Sequence, residues 1–88
     1  MTIIANVKGF TLAHPVMVVD NDKVIYTTKA SLKDMPELLS HFAQTYNCNH
    51  ITFVGNQKFA EKMAIQTKEI FRAKYNKENE LEIEYITK

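Results

Sequence analysis

The stretch that decides the fold is VMVVDNDKVIYTT, residues 16–28. Two β-branched runs flank the polar segment 20–23, a pattern typical of two antiparallel strands joined by a tight turn. A two-residue loop at Asn21 and Asp22 needs positive φ at both positions, which Asn and Asp tolerate best after Gly. The cross-strand pairs that follow are Asp20 with Lys23, Val19 with Val24, Val18 with Ile25, and Met17 with Tyr26. Each pair is oppositely charged or apolar, so we predict a hairpin with a well-specified register.

Three further strands are predicted outside the hairpin. A β-branched run covers residues 2–8 and is closed by Gly9. The short apolar run 51–54 is typical of a buried strand, and residues 80–86 alternate between acidic and apolar side chains. The chain therefore carries five predicted strands.

Two helices are predicted between these strands. The first begins after Asp34 as N-cap, with Glu37 as its capping-box partner and Pro36 in the first turn. The second covers about residues 57–75 and has Asn56 as its N-cap. Each helix has one apolar stripe and one charged face, except that Ile65 stands among the charges of the second.

Composition excludes several classes of protein. The chain has 88 residues, of which 45% are hydrophobic and 24% charged, and its formal net charge is +1. These values fit one folded domain over residues 1–88 and give no electrostatic footprint for nucleic acid or a membrane. No apolar run approaches the ~20 residues that span a bilayer, and no signal peptide is expected. The single cysteine, Cys48, fits a reducing compartment, so we expect a cytoplasmic protein.

The element order is β-β-β-α-β-α-β, which predicts an α/β protein. This order resembles the ribonuclease H-like fold, which implies a five-stranded mixed sheet in the order 3-2-1-4-5. The segments IIANVKGF (3–10) and VMVVD (16–20) also resemble the first hairpin of its RuvC-type members. A ferredoxin-like α+β arrangement is the alternative. In length and style the chain further resembles small bacteriophage proteins, which implies the host cytoplasm as its location.

The resemblance also implies a nuclease centre of two divalent metals held by carboxylates, and the chain departs from it. The position on the first strand is Val7, or Asn6 if the alignment slips by one residue. The fourth strand ends in Val54-Gly55-Asn56, and the later helix that carries a further carboxylate is not expected before Lys88. Glu37 alone cannot hold a catalytic metal. We therefore expect no enzyme, no catalytic residue, no metal and no cofactor.

The order of the strands predicts an open sheet face. Right-handed crossovers in one direction place both helices on one side of the sheet, so the other side has no layer of its own. The expected open face is apolar over the hairpin and acidic toward the last strand, where Glu80, Glu82 and Glu84 alternate. Such patches usually mark interfaces, and we predict a homodimer. Its predicted contact residues are Ile4, Val16, Val18, Ile25, Glu82 and Glu84.

One weaker site is an anion site at the start of the second helix, formed by Lys8, Gly55, Asn56 and Lys58. Backbone N–H groups at a helix N-terminus attract anions, although helix capping alone explains the same residues. Cys48 and His50 lack further metal ligands, and Asp20 to Asp22 lack the glycine and distal glutamate of a calcium loop.

The two remaining histidines, His14 and His41, are expected at the surface or its boundary. The function that these features favour is a small non-catalytic protein-interaction module, a homodimer that could serve a phage as an accessory protein. The alternatives are a divalent-metal-dependent nuclease and an anion- or nucleotide-binding protein.

Overall fold

A computed structural model describes residues 1–7, 13–75 and 81–87 of the chain. Its elements are β1 (Thr2–Val7), β2 (His14–Asp20), β3 (Lys23–Ala30), α1 (Met35–Thr45), β4 (His50–Gly55), α2 (Gln57–Tyr75) and β5 (Glu82–Thr87). The strands form one sheet in the order β3-β2-β1-β4-β5. β4 pairs parallel with β1 and with β5, whereas β2 pairs antiparallel with β1 and with β3. The predicted α/β class and strand order are confirmed. The start of the last predicted strand, Glu80, lies outside the described residues.

The hairpin has the predicted turn but a different register beyond it. Asn21 and Asp22 have φ of 50° and 66°, and Val19 pairs with Val24 as expected. A bulge then makes Ile25 an extra residue, so Val18 pairs with Tyr26 and Met17 with Thr27. The predicted partners Ile25 for Val18 and Tyr26 for Met17 are wrong for this reason. Tyr26 instead lies toward α1, where its ring meets that of Phe42 edge-on at a centroid distance of 5.4 Å.

Both helices cover the same side of the sheet. Ile3, Ala5 and Val7 alternate along β1 and are fully buried, in one core with Leu39 of α1 and Met63 of α2. The helices also contact each other directly, since the Ser40 hydroxyl lies 3.1 Å from the Thr67 carbonyl oxygen. The sheet therefore has one covered side and one side without a helix among the described residues.

Two of the predicted interface residues lie on the covered side. Val16 pairs with Ala5 and Val18 with Ile3, and both valines are fully buried. Directly paired residues point to the same side of a sheet, so the helices that cover Ile3 and Ala5 cover Val16 and Val18 as well. Their assignment to the open face is wrong. His14 continues the same alternation and is also fully buried, not at the surface.

The start of α1 lacks both side-chain contacts of the predicted capping box. Asp34 is the N-cap and a proline occupies the first turn, as predicted, but the Asp34 side chain makes no capping hydrogen bond. Glu37 is not a capping-box partner either, because the Asp34 N–H donates to Ser31. The Glu37 carboxylate instead accepts a hydrogen bond from Lys74 of α2. The acid at this position therefore links the two helices.

The helices of the described ranges are short or polar. None of them is long and apolar enough to cross a membrane.

Candidate functional site: the open face of the sheet

The candidate site is the side of the sheet that faces away from both helices. Its residues alternate along the strands with those that point toward the helices, and Thr52 among them is only 6% exposed. From β3 to β5 they are Val24, Thr27, Lys29, Pro15, Met17, Val19, Thr2, Ile4, Asn6, His50, Thr52, Val54, Glu82, Glu84 and Ile86.

The half of this face near the hairpin is apolar. Ile4, Met17 and Val19 are half-buried neighbours on β1 and β2. At the edge, Val24 is 55% exposed and the bulge residue Ile25 is 45% exposed. Isolated exposed apolar residues are ordinary, but a contiguous group across three strands is typical of a contact surface.

The half near β5 is polar and acidic. The His50 imidazole Nε2 lies 3.8 Å from a carboxylate oxygen of Glu84, and the Thr52 hydroxyl lies 3.5 Å from the same oxygen. Glu82 stands opposite His50 in the strand register. These groups place negative charge at one end of the face and leave the hairpin end uncharged except for Lys29.

The structure brings together part of the predicted interface. Ile4, Glu82 and Glu84 lie on the open face, and Ile25 is exposed beside it at the bulge. Met17, Val19 and Val24 were not among the predicted contact residues, and they occupy the open face where Val16 and Val18 were expected. A signal that could have found them is the pairing of β2 with β1, because residues opposite the buried Ile3 and Ala5 must be buried too.

The predicted anion site is a tightly built strand-to-helix junction. Gly55 has a φ of +125°, and a Cβ at this position would lie 2.2 Å from the Val7 carbonyl oxygen. That same oxygen accepts the Asn56 N–H at 2.9 Å, while Asn56 Oδ1 accepts the Phe59 N–H at 3.2 Å. Asn56 therefore caps α2, and Lys58 is exposed in the first turn of that helix. Lys8 lies outside the described residues.

Cys48 is buried just before the start of β4. The side chain is 3% exposed, and its Sγ lies 2.9 Å from the Met1 carbonyl oxygen and 3.4 Å from that of His50. The cysteine links the start of β1 to the start of β4.

On β1 and β4, where the resemblance implies carboxylates, the residues are uncharged. Asn6 stands opposite Val54 in the register of β1 and β4, and Val7 stands opposite Gly55. Glu37 is on α1 and pairs with Lys74. Across the described ranges, no group of three or more His, Cys, Asp or Glu side chains is arranged to hold a metal ion.

A concave region between the two helices was not predicted from the sequence. It has a volume of about 370 Å³ and is lined by Asp34, Glu37, Leu38, His41, Lys74 and Tyr75. Glu37 and Lys74 are separated by 37 residues, so no short-range pattern in the sequence indicates their contact. His41 lies on the exposed side of α1, 3.4 Å from the Thr45 hydroxyl. Most of the lining side chains are exposed to water, so this region is a shallow groove.

Comparisons of the chain with protein families, with curated proteins and with solved structures gave no match.

Proposed function

We propose that the chain is a non-catalytic protein-interaction module that binds a second copy of itself through the open sheet face. The observation that supports this most is the apolar group formed by Ile4, Met17, Val19 and Val24 on a side of the sheet that neither helix covers. Removing such surface from water is the main driving force of protein association.

The size of the face bears on the strength of this contact. Five strands at a spacing of ~4.8 Å and six residues at ~3.3 Å each give a face of roughly 24 × 20 Å, or about 480 Å². A standard stable interface buries about 800 Å² on each partner. A dimer through this face alone is therefore weak and depends on protein concentration.

The charges of the face favour one kind of overlap. Stacking two copies strand on equivalent strand over the whole face would bring the Glu82 and Glu84 side chains of both copies together, which is unfavourable. An offset overlap, in which the hairpin halves meet and β5 remains at the rim, buries the apolar residues and leaves the acids in water. We propose this offset arrangement, in the cytoplasm of the cell or of an infected host.

The test is the mass of the protein as a function of concentration, measured by sedimentation equilibrium. We expect the mass of the natural chain to rise reversibly with concentration, and to rise less in Met17→Asp, which places a charge in the apolar half of the face. Ala73→Asp, on the exposed side of α2, is the matched control and should leave association unchanged. Equal association of the two variants would contradict the proposal.

A further inference from the structure

The outer edge of β5 is a second surface that the proposed function does not use. Among the described residues no strand lies beyond β5, so one row of its backbone groups faces outward. β5 pairs with β4 without a register shift over all of Glu82–Thr87, whereas the opposite edge of the sheet, β3, is interrupted by the bulge at Ile25. Bulges are one of the devices that prevent edge strands from pairing with other chains, so β5 is the more receptive edge.

The direction of the backbone groups on β5 follows from one hydrogen bond. The Glu82 N–H donates to the Asn49 carbonyl oxygen at 2.7 Å and therefore points toward β4. Backbone groups alternate along a strand, so those of Glu84 and Ile86 also point toward β4. The N–H and C=O groups of Ile83, Tyr85 and Thr87 point outward.

We propose that β5 pairs antiparallel with β5 of a second copy across a two-fold axis at Tyr85. In this register Tyr85 stands opposite the same residue of the second copy and Ile83 stands opposite Thr87. All three outward-facing residues of each strand are then hydrogen-bonded, with about six N–H···O bonds in total.

The charges on β5 select the same register. With the axis at Tyr85, each Glu84 stands opposite Ile86 of the second copy, and no carboxylate stands opposite another. With the axis at Glu84, the two Glu84 carboxylates stand directly opposite each other, which is destabilising. With a second copy as the occupant, charge therefore favours the alignment that has its axis at Tyr85.

The side chains along β5 leave apolar surface exposed that a second β5 strand could cover. Tyr85 and Ile86 are 37% and 47% exposed, on opposite sides of β5. Tyr85 stacks on Phe53 at a ring-centroid distance of 6.1 Å, which holds it on the helix side, and Glu61 of α2 is near enough to act on its pKa. Ile65, 60% exposed, lies one turn beyond Glu61 on the same helix. A second β5 would bring partner atoms to the exposed parts of Tyr85 and Ile86.

Amide hydrogen exchange followed by NMR tests this pairing in the natural chain. We expect the N–H groups of Tyr85 and Thr87 to exchange fast in dilute solution and to become protected as the concentration rises. The N–H groups of Glu84 and Ile86, which face β4, are the internal control and should be protected throughout. Fast exchange of Tyr85 and Thr87 at every concentration would overturn the proposal.

Cysteine cross-linking tests the register. Paired Cα atoms of this type lie about 5.5 Å apart, within the range of a disulfide. Tyr85→Cys should therefore form a covalent dimer on mild oxidation, and Glu84→Cys should form much less if the axis lies at Tyr85. The opposite ranking would overturn the register. Combining either variant with Met17→Asp separates this edge from the open face, since the edge contact should survive that substitution.

Discussion

The hydroxyl of Ser40 on α1 lies 2.8 Å from the carbonyl oxygen of Pro36 and 3.1 Å from that of Thr67 on α2. A hydroxyl hydrogen shared between two carbonyl groups thus joins one helix to the backbone of the other, in a position that is fully buried. Thr67 is buried too, and its own hydroxyl donates to the Met63 carbonyl oxygen. The helix pair is held together by polar groups that are satisfied inside an apolar core.

Ser40→Ala removes this bridge and should lower the free energy of unfolding by about 1 kcal/mol, the net value of a buried hydrogen bond. Urea denaturation measures the loss. Thr45→Ala, at an exposed position of the same helix, is the control and should change stability much less. If the two variants unfold at the same urea concentration, the hydrogen bonds of Ser40 make no net contribution to the free energy of unfolding.

Gly55→Ala should destabilise the protein strongly. The positive φ of Gly55 disfavours any side chain, and its Cβ would overlap the Val7 carbonyl oxygen, so we expect a loss of about 3 kcal/mol or more. Thermal unfolding followed by circular dichroism measures it. Asn56→Ala, which removes the neighbouring cap, should cost only about 1 kcal/mol. A Gly55→Ala protein as stable as Asn56→Ala would contradict this view of the junction.

Adjacent isoleucines on β1 should respond differently to truncation. Ile3 is fully buried under the helices, and Ile3→Ala should cost about 2–5 kcal/mol of stability. Ile4 lies half-buried on the open face, so Ile4→Ala should cost less and should instead weaken the proposed self-association. Urea denaturation and sedimentation equilibrium of both variants check this pair of results. The prediction fails if Ile4→Ala is the more destabilised protein.

Stability should fall in alkaline solution through two groups. The hydrogen bond to Glu37 and the charge of its carboxylate raise the pKa of Lys74 above 10.5, and partial burial, with a smaller effect of Glu61, raises the pKa of Tyr85 above 10.0. In both cases the folded chain keeps its proton to higher pH than the unfolded chain. Their contribution is therefore complete below pH 10.0 and is lost as the pH rises through the folded-state pKa values.

The double variant Lys74→Met with Tyr85→Phe tests this assignment. Its stability should fall less steeply above pH 10.0 than that of the natural chain, as measured by urea denaturation at a series of pH values. An unchanged slope would show that other groups control the alkaline limit.

Local sequence patterns predicted the elements well, since turn chemistry and capping act over a few residues. Asn21 and Asp22 form the predicted turn, and α2 has the predicted bounds of residues 57–75. What local patterns did not predict is the bulge at Ile25, because every nearby pairing of apolar residues satisfies the same pattern. The assignment of Val16 and Val18 to the wrong side follows from the apolar character of the hairpin on both of its faces, which leaves its orientation to the pairing with β1.

The candidate site, too, was predictable only in part. The existence of an open face was predictable from strand order and the handedness of crossovers. The contacts of His50 and Thr52 with Glu84, and of Glu37 with Lys74, join residues more than thirty positions apart in the chain, which no local pattern encodes.

The bulge at Ile25 gives the sheet two different edges: β3 is irregular, and β5 is regular. A molecule with two equally receptive margins could add copies one after another into a fibre. With only one regular edge strand, the proposed pairing of β5 with β5 uses that edge in both molecules. The bulge in β3 then prevents a third molecule from extending the sheet.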